Sequence, residues 1–291
     1  MKRMIVNADD FGADPCRNTG IARVLAAGVA TSASILANGA AFAHMRLCMA
    51  ELAQRPISWG LHLNLSEGRP ISSGLRYLTG PDGAFPGKAA TAELLGRQGG
   101  PDLEEEIYRE ATAQLTVLTE AGIQVRHLDG HQHIHVFPAV APVTVRLART
   151  FAIPWVRIPE EPQPAIPNPG LSALDTEAAR FSALAGEARS LFPDTIRTAD
   201  AFRGLYLKDR VNPRRLARLI EDLPDGLTEL MVHPGEEPDT TSHLERNMET
   251  NPFAAFGTVH RGEELHALLS PAFRQALKAS GVSLVPFPEA P

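Results

Sequence analysis

The 291-residue chain is short of cysteine, of net positive charge and of long apolar runs. Its two cysteines, Cys16 and Cys48, cannot build a disulfide framework, which excludes the small stapled secreted folds. No apolar stretch approaches the length of a membrane span. Only Met4, Ile5 and Val6 follow the basic pair Lys2-Arg3 before polar residues return, too few for the apolar core of a signal peptide. A cytoplasmic protein is the expectation. Lys and Arg number 28 against 34 Asp and Glu. The net charge of −6 argues against a chain built to neutralise nucleic-acid phosphates. Also missing are a Gly-x-Gly-x-x-Gly turn after the first strand, a phosphate-binding P-loop and a Gly-x-Ser-x-Gly nucleophile elbow. Neither cysteine sits in a recognisable nucleophile context, and no solenoid-type repeat recurs.

What is present is ordinary globular composition, 44% apolar and 21% charged. A chain of this length buries about three quarters of its unfolded surface and needs no staples. Strand, polar turn and helix signals alternate. Strand signals fall at Met4–Ala8, Ala33–Ala37, 57–65, Val125–Asp129, 154–158, Phe202–Leu207, Leu227–His233 and Val282–Phe287. Helix signals fall at Arg17–Ala27, Ala41–Gln54, Pro101–Ala121, 138–150, Thr176–Ser190, Asn212–Leu223 and from Ser270 to Gly281. Gly28, Asn212-Pro213 and Ser270-Pro271 supply stop and start chemistry. Asp102, Glu104, Glu105 and Glu106 suit the positive end of their helix. Alternation of this kind implies a parallel sheet. At this length it predicts an α/β fold closed as an irregular, TIM-like (β/α) barrel. One catalytic domain over 1–291 is expected, with excursions at about 66–100 and 159–200. Six prolines between Pro154 and Pro169 predict a rigid loop there.

Polar residues placed on this map gather at strand ends. Asp9 and Asp10 sit just past strand one. His62 and Asn64 share a face at the end of strand three. Asp129, His131, His133 and His135 follow strand four, and His233 ends a late strand before Pro234-Gly235. In a barrel these ends surround one pocket. A single histidine is ordinarily a core or surface residue. Here four of ten lie within nine residues, from His127 to His135, with apolar strand residues leading in. Imidazole and carboxylate together suit Zn, Mn, Fe, Co or Mg. Adjacent carboxylates on a turn point different ways, so one can bind a metal while the other faces the substrate as a base. The four segments imply an Asp-His-His metal site with a carboxylate and a histidine to spare. That set suits metal-assisted hydrolysis, in which a carboxylate takes the proton of water and a histidine protonates the leaving group. The named strand ends offer few Lys or Arg, which disfavours phosphoryl chemistry.

The segments Ile5-Val-Asn-Ala-Asp-Asp-Phe-Gly12, Gly60-Leu-His-Leu-Asn-Leu65, His127-Leu-Asp-Gly-His-Gln-His-Ile-His135 and His233-Pro-Gly235 resemble the YdjC-like carbohydrate deacetylases. The resemblance runs from strand one to about residue 260. It implies an irregular barrel of the deacetylase type, hydrolytic removal of N-linked acetyl groups from amino sugars, and one divalent metal, often magnesium, with Zn, Mn or Co as alternatives. Carried over by position, it implies Asp10, His62 and His131 as metal ligands, Asp9 as base and His233 as acid. Asn64, Asp129, His133 and His135 would contact the substrate or orient the ligands. The implied partner is an amino-sugar substrate, with no nucleic acid and no membrane span. Enzymes of this kind are commonly homodimers, though no sequence feature marks an interface. Two other readings stay open: a metal hydrolase of a phosphoester or cyclic amide on the same scaffold, and a sugar-binding protein without turnover.

Overall fold

The computed structural model describes residues 1–164, 173–237 and 259–288. Every strand pairing in it is parallel. At the centre lies β1 (Lys2–Phe11), buried along both faces from Met4 onward, as expected of a parallel strand covered on two sides. On one side follow β2 (Ser32–Ile35), β3 (Ser58–Leu63), β4 (Val125–Gly130) and β5 (Trp155–Val156). On the other lie β7 (Gly226–Val232) and then β6 (Ala201–Arg203). A short β8 (Ser283–Leu284) pairs with Arg3 and Met4 at the start of β1, whereas β2 pairs with its second half. The sheet curls until its edges meet. The amide of Val156 donates to the carbonyl of Arg197 at 2.9 Å, and the amide of Arg197 donates to Pro154 at 2.9 Å, just before β6. The fold is the irregular (β/α) barrel expected from the alternating pattern.

The helices are α1 (Pro15–Ala26), α2 (Phe42–Glu51), α3 (Lys88–Leu95), α4 (Pro101–Glu120), α5 (Ala141–Thr150), α6 (Ala173–Arg189), α7 (Pro213–Glu221), α8 (Val259–Leu269) and α9 (Pro271–Ala279). Local chemistry sets several of their ends. The side chains of Asp14, Asn212 and Ser270 each accept a first-turn amide, with proline at the next position. Gly28 follows α1 in the left-handed region, φ 67°. The main core lies between sheet and helices, where Val6, Leu61, Leu128 and Leu230 face Val24, Leu118 and Phe273.

Three features of the fold bear on function. First, β1 runs on through Asp9 and Asp10 rather than stopping at Ala8. Second, the 66–100 excursion carries α3 and is pinned to α4. Glu106 and Glu110 of α4, both buried, accept the amides of Arg76, Tyr77 and Leu78 and of Ile71 and Ser72. Third, α8 lies where the sequence reading placed no helix; its buried face mixes Arg261 and Glu264 with Leu265 and Leu268, which interrupts the apolar stripe. In the proline-rich stretch, residues up to 164 form no helix or strand beyond β5, and the rest of that stretch lies outside the described residues.

Candidate active site

The site begins with a break in β1. A regular strand sends neighbouring side chains to opposite faces. Between Ala8 and Phe11 the register with β2 shifts, and Asp10 adopts φ 70°, a left-handed conformation that aspartate tolerates better than most residues. Both carboxylates consequently line one cavity. Parallel register then sets His62 of β3 directly opposite Asp129 of β4. After β4 the chain turns through a 3₁₀ segment, His131–Val136, with Gln132 and His133 at φ 56° and 57°. His131, His133 and, from the end of β7, His233 complete the polar wall. Leu174, Ala178 and Phe181 of α6, with Leu205 and Met231, form an apolar wall of the same cavity.

Three groups converge at the cavity floor. Oδ1 of Asp10 lies 3.0 Å from Nδ1 of His131 and 3.4 Å from Nε2 of His62. One ligand atom from each of the three residues lies within 4.8 Å of the others. That Oδ1 is buried and accepts no hydrogen bond of normal geometry among the described residues. Nδ1 of His62 is 2.6 Å from Oδ1 of Asp129, so its proton is on that side and Nε2 faces Asp10. An oxygen without a hydrogen bond between two imidazoles is a donor set that a divalent cation fits. Asp9, His62 and Asp129 form a second group of similar spacing. There a guanidinium already supplies the positive charge. Arg157 meets Asp9 through Nη1 and Nη2 at 2.7 and 2.8 Å, and Asp129 through Nη2 at 2.9 Å.

Arg157 was not singled out by the sequence. It is fully buried at the end of the β5 segment, and its Nε donates to Glu229 at 2.7 Å. A lone arginine in an apolar strand run was the available signal. Arg261, which meets Oδ2 of Asp10 at 2.6 Å, and Glu264 had none, being on α8. The expectation of few cations is therefore corrected: Lys88, Lys208 and Arg261 line the cavity and Arg157 underlies it. The two arginines are engaged by carboxylates, and Lys88 pairs with Glu177 at 2.5 Å.

Of the remaining expected site residues, His133 lines the cavity, edge-on to Phe181. Asp129 holds His62 from behind and takes the hydroxyl of Ser34 at 2.6 Å. Asn64 does not reach the cavity. Its Oδ1 accepts the amides of Ser66 and Glu67, and its Nδ2 donates to Asn38 and to the Glu67 carbonyl, so it shapes the loop after β3. His135 is also placed away from the cavity. It is fully buried, with Nε2 2.9 Å from the carbonyl of Arg157. His127, the first histidine of the cluster, is core. It stacks on Phe287 and covers Gly60 so closely that a Cβ there would fall 2.2 Å from its Nε2.

The charges follow from burial and neighbours. Burial opposes ionisation of Asp10, but Arg261 and His131 hold its carboxyl well below the usual range. Burial likewise opposes a charged His62, yet Asp9 and Asp129 outweigh it and push it up to about 10, so a cation held at Nε2 would take the place of the second ring proton. Burial lowers His131, His133 and His233, keeping these imidazoles neutral. Burial raises Glu229 to about 7 despite Arg157.

Fold and site place the chain among parallel α/β barrels that collect carboxylates and imidazoles at their strand ends. It belongs to the YdjC-like protein family, which matches residues 3–279. A human protein named carbohydrate deacetylase is 37% identical, over 97% of this chain and 89% of the relative. One of the same name from Brevibacillus brevis is 28% identical, over 99% of both. A crystal structure from Enterococcus faecalis V583, named for a provisional role in cellobiose-phosphate cleavage, superposes with a TM-score of 0.72 at 22% identity, over 98% of this chain and 97% of that one. That likeness supports the fold. Among the described residues no helix is long and apolar enough to cross a membrane.

Proposed function

We propose that this chain hydrolyses the acetamide of an N-acetylated amino sugar, releasing acetate, with one divalent cation held by Asp10, His62 and His131. The observation that carries this reading is the buried Oδ1 of Asp10 between two imidazoles, with a second carboxylate and a third imidazole on the same cavity. The deacetylase relatives support the reaction class. Bound there, the cation would polarise the acetyl carbonyl and lower the pKa of water. The two imidazoles favour Zn, Mn or Co, while magnesium remains within the family's expectation.

The chain's own groups do the rest. Arg157 and Asn7 hold Asp9 rigidly, with Nδ2 of Asn7 donating to its Oδ1 at 2.7 Å. From that position Asp9 accepts a proton from the attacking water. Nε2 of His233 stands 3.9 Å from Oδ2 of Asp9. A neutral imidazole there takes up the water-derived proton from Asp9 and passes it to the leaving nitrogen, so the amine departs neutral and both Asp9 and His233 are restored. His133 and the apolar α6 wall bound the space for the sugar and its acyl group.

The test is acetate release from a panel running from N-acetylglucosamine to chitooligosaccharides and a lipid-linked N-acetylated sugar. Each is assayed after chelation and after adding back Mg, Mn, Co or Zn. Release that requires metal supports the reading. Folded protein that releases no acetate under any condition overturns it, and release of phosphate or ammonia from other substrates would point to a different hydrolase.

A further inference from the structure

Helix α8 enters the site from outside the strand ends and touches it three times. Nη2 of Arg261 donates to Oδ2 of Asp10 at 2.6 Å, the oxygen opposite the one that faces His62 and His131. The carbonyl of Arg261 accepts the amide of Gly235 at 3.2 Å. One turn further on, Oε1 of Glu264 accepts the amide of His233 at 3.0 Å. Arg261 and Glu264 are 8% and 4% exposed. The 233–235 turn is wedged from its other side as well. The amide of Glu236 donates to Cys16 of α1, and Gly235 packs so tightly on Gly20 that a Cβ there would lie 2.5 Å from the Gly235 Cα.

We propose that α8 is the positioning element of the site, with Arg261 and Glu264 as positioning residues that hold Asp10 and His233 in fixed relation to each other. This inference rests on the reading of Asp10 as a ligand and of His233 as the proton carrier. The carboxylate of Asp10 projects from a left-handed position in β1, with His62 and His131 beside Oδ1 and Arg261 on Oδ2. Arg261 fixes it by occupying one oxygen and thereby presents the other. His233 follows the end of β7, and Glu264 sets where its backbone lies. Nη1 of Arg261 is buried without a hydrogen-bond partner among the described residues, an arrangement that costs folding free energy. The physical content is that ligand and proton carrier, from strands β1 and β7, are tied to one rigid helix.

The experiment uses the full chain loaded with cobalt(II), whose visible absorption reports ligand geometry. Arg261→Met is expected to weaken cobalt binding about tenfold and to alter the spectrum, while Arg261→Lys recovers most of both. Glu264→Ala is expected to lower kcat about tenfold with KM and cobalt affinity kept, while Glu264→Gln, which still accepts the His233 amide, retains wild-type kcat. Circular dichroism checks that each variant folds. Should the Met and Ala variants fail to fold, the Lys and Gln variants decide, and loss of cobalt affinity or of kcat in them overturns the proposal. Wild-type cobalt binding and spectrum in Arg261→Met, or equal loss in both Glu264 variants, also overturns it. If the wild-type chain binds cobalt and releases no acetate, the deacetylase reading fails and the cobalt measurements still judge Arg261.

Discussion

Nδ1 of His62 lies 2.6 Å from Oδ1 of Asp129, its cross-strand partner on β4. The pairing fixes the imidazole's tautomer and turns Nε2 toward Asp10. Replacing Asp129 with Asn removes the charge that orients the ring. The expected outcome is a loss of metal affinity of about 10–100-fold in Asp129→Asn. Competition with a chromophoric chelator measures it, and unchanged affinity would remove Asp129 from the metal's support.

Arg157 is the counter-charge for Asp9, Asp129 and Glu229 together. Arg157→Met would leave those buried carboxylates without it. Removing one partner of a buried ion pair typically costs about 3–5 kcal/mol, and a loss of that order in urea unfolding is expected. Arg157→Lys should recover little, because an ammonium cannot reproduce the two-pronged contact with Asp9. A lysine variant as stable as wild type would refute the geometric account.

Asp10 serves by charge and by backbone conformation, and two variants separate these. Asp10→Asn keeps a residue that tolerates φ 70° and loses the carboxylate, whereas Asp10→Val loses both. Both should fail to bind metal. The valine variant should be less stable than the asparagine variant by about 1–2 kcal/mol, the cost of a left-handed conformation for an ordinary side chain. Equal unfolding midpoints would show that the left-handed turn carries no such cost.

Glu161 gives a pH dependence away from the proposed metal ligands. Burial raises its pKa from 4.5 to about 7, against the amides and Arg203 that favour the charged form. Its Oε2 accepts the amides of Gly204 and Leu205 at 3.0 and 2.7 Å. The folded chain therefore holds this proton more tightly than the unfolded chain does. Its contribution to stability is complete below pH 4.5 and is lost as pH rises to about 7, by up to about 3 kcal/mol. Glu161→Gln removes the titration. The wild-type advantage over Glu161→Gln should be larger at pH 4.5 than at pH 8 in paired urea titrations. A difference between the two proteins that does not change with pH would contradict the assignment.

Much of this site was legible because local chemistry wrote it. Asp9-Asp10 after a buried strand and the histidines after β4 stand at strand ends, where a barrel puts its pocket. Alternation along 57–65 set His62 on a defined face. The same alternation grouped Asn64 with it, and there the inference failed. β3 ends at Leu63, after which Asn64 turns its side chain to the 66–67 loop instead of following the pleat.

The sequence by itself determined the parallel α/β order, because hydrophobic period and capping residues act over a few positions along the chain. It also singled out Asp9, Asp10, His62, His131, His133 and His233, which line one cavity, together with His135, which does not reach it. Only tertiary structure decided that Arg157 would serve Asp9 across 148 positions, or that Arg261 would clamp Asp10 across 251. Such pairings depend on sheet register, on curling of the sheet toward closure and on a helix packed from outside. Buried charges obey no local period, since each is stabilised by its partner rather than by its neighbours in sequence.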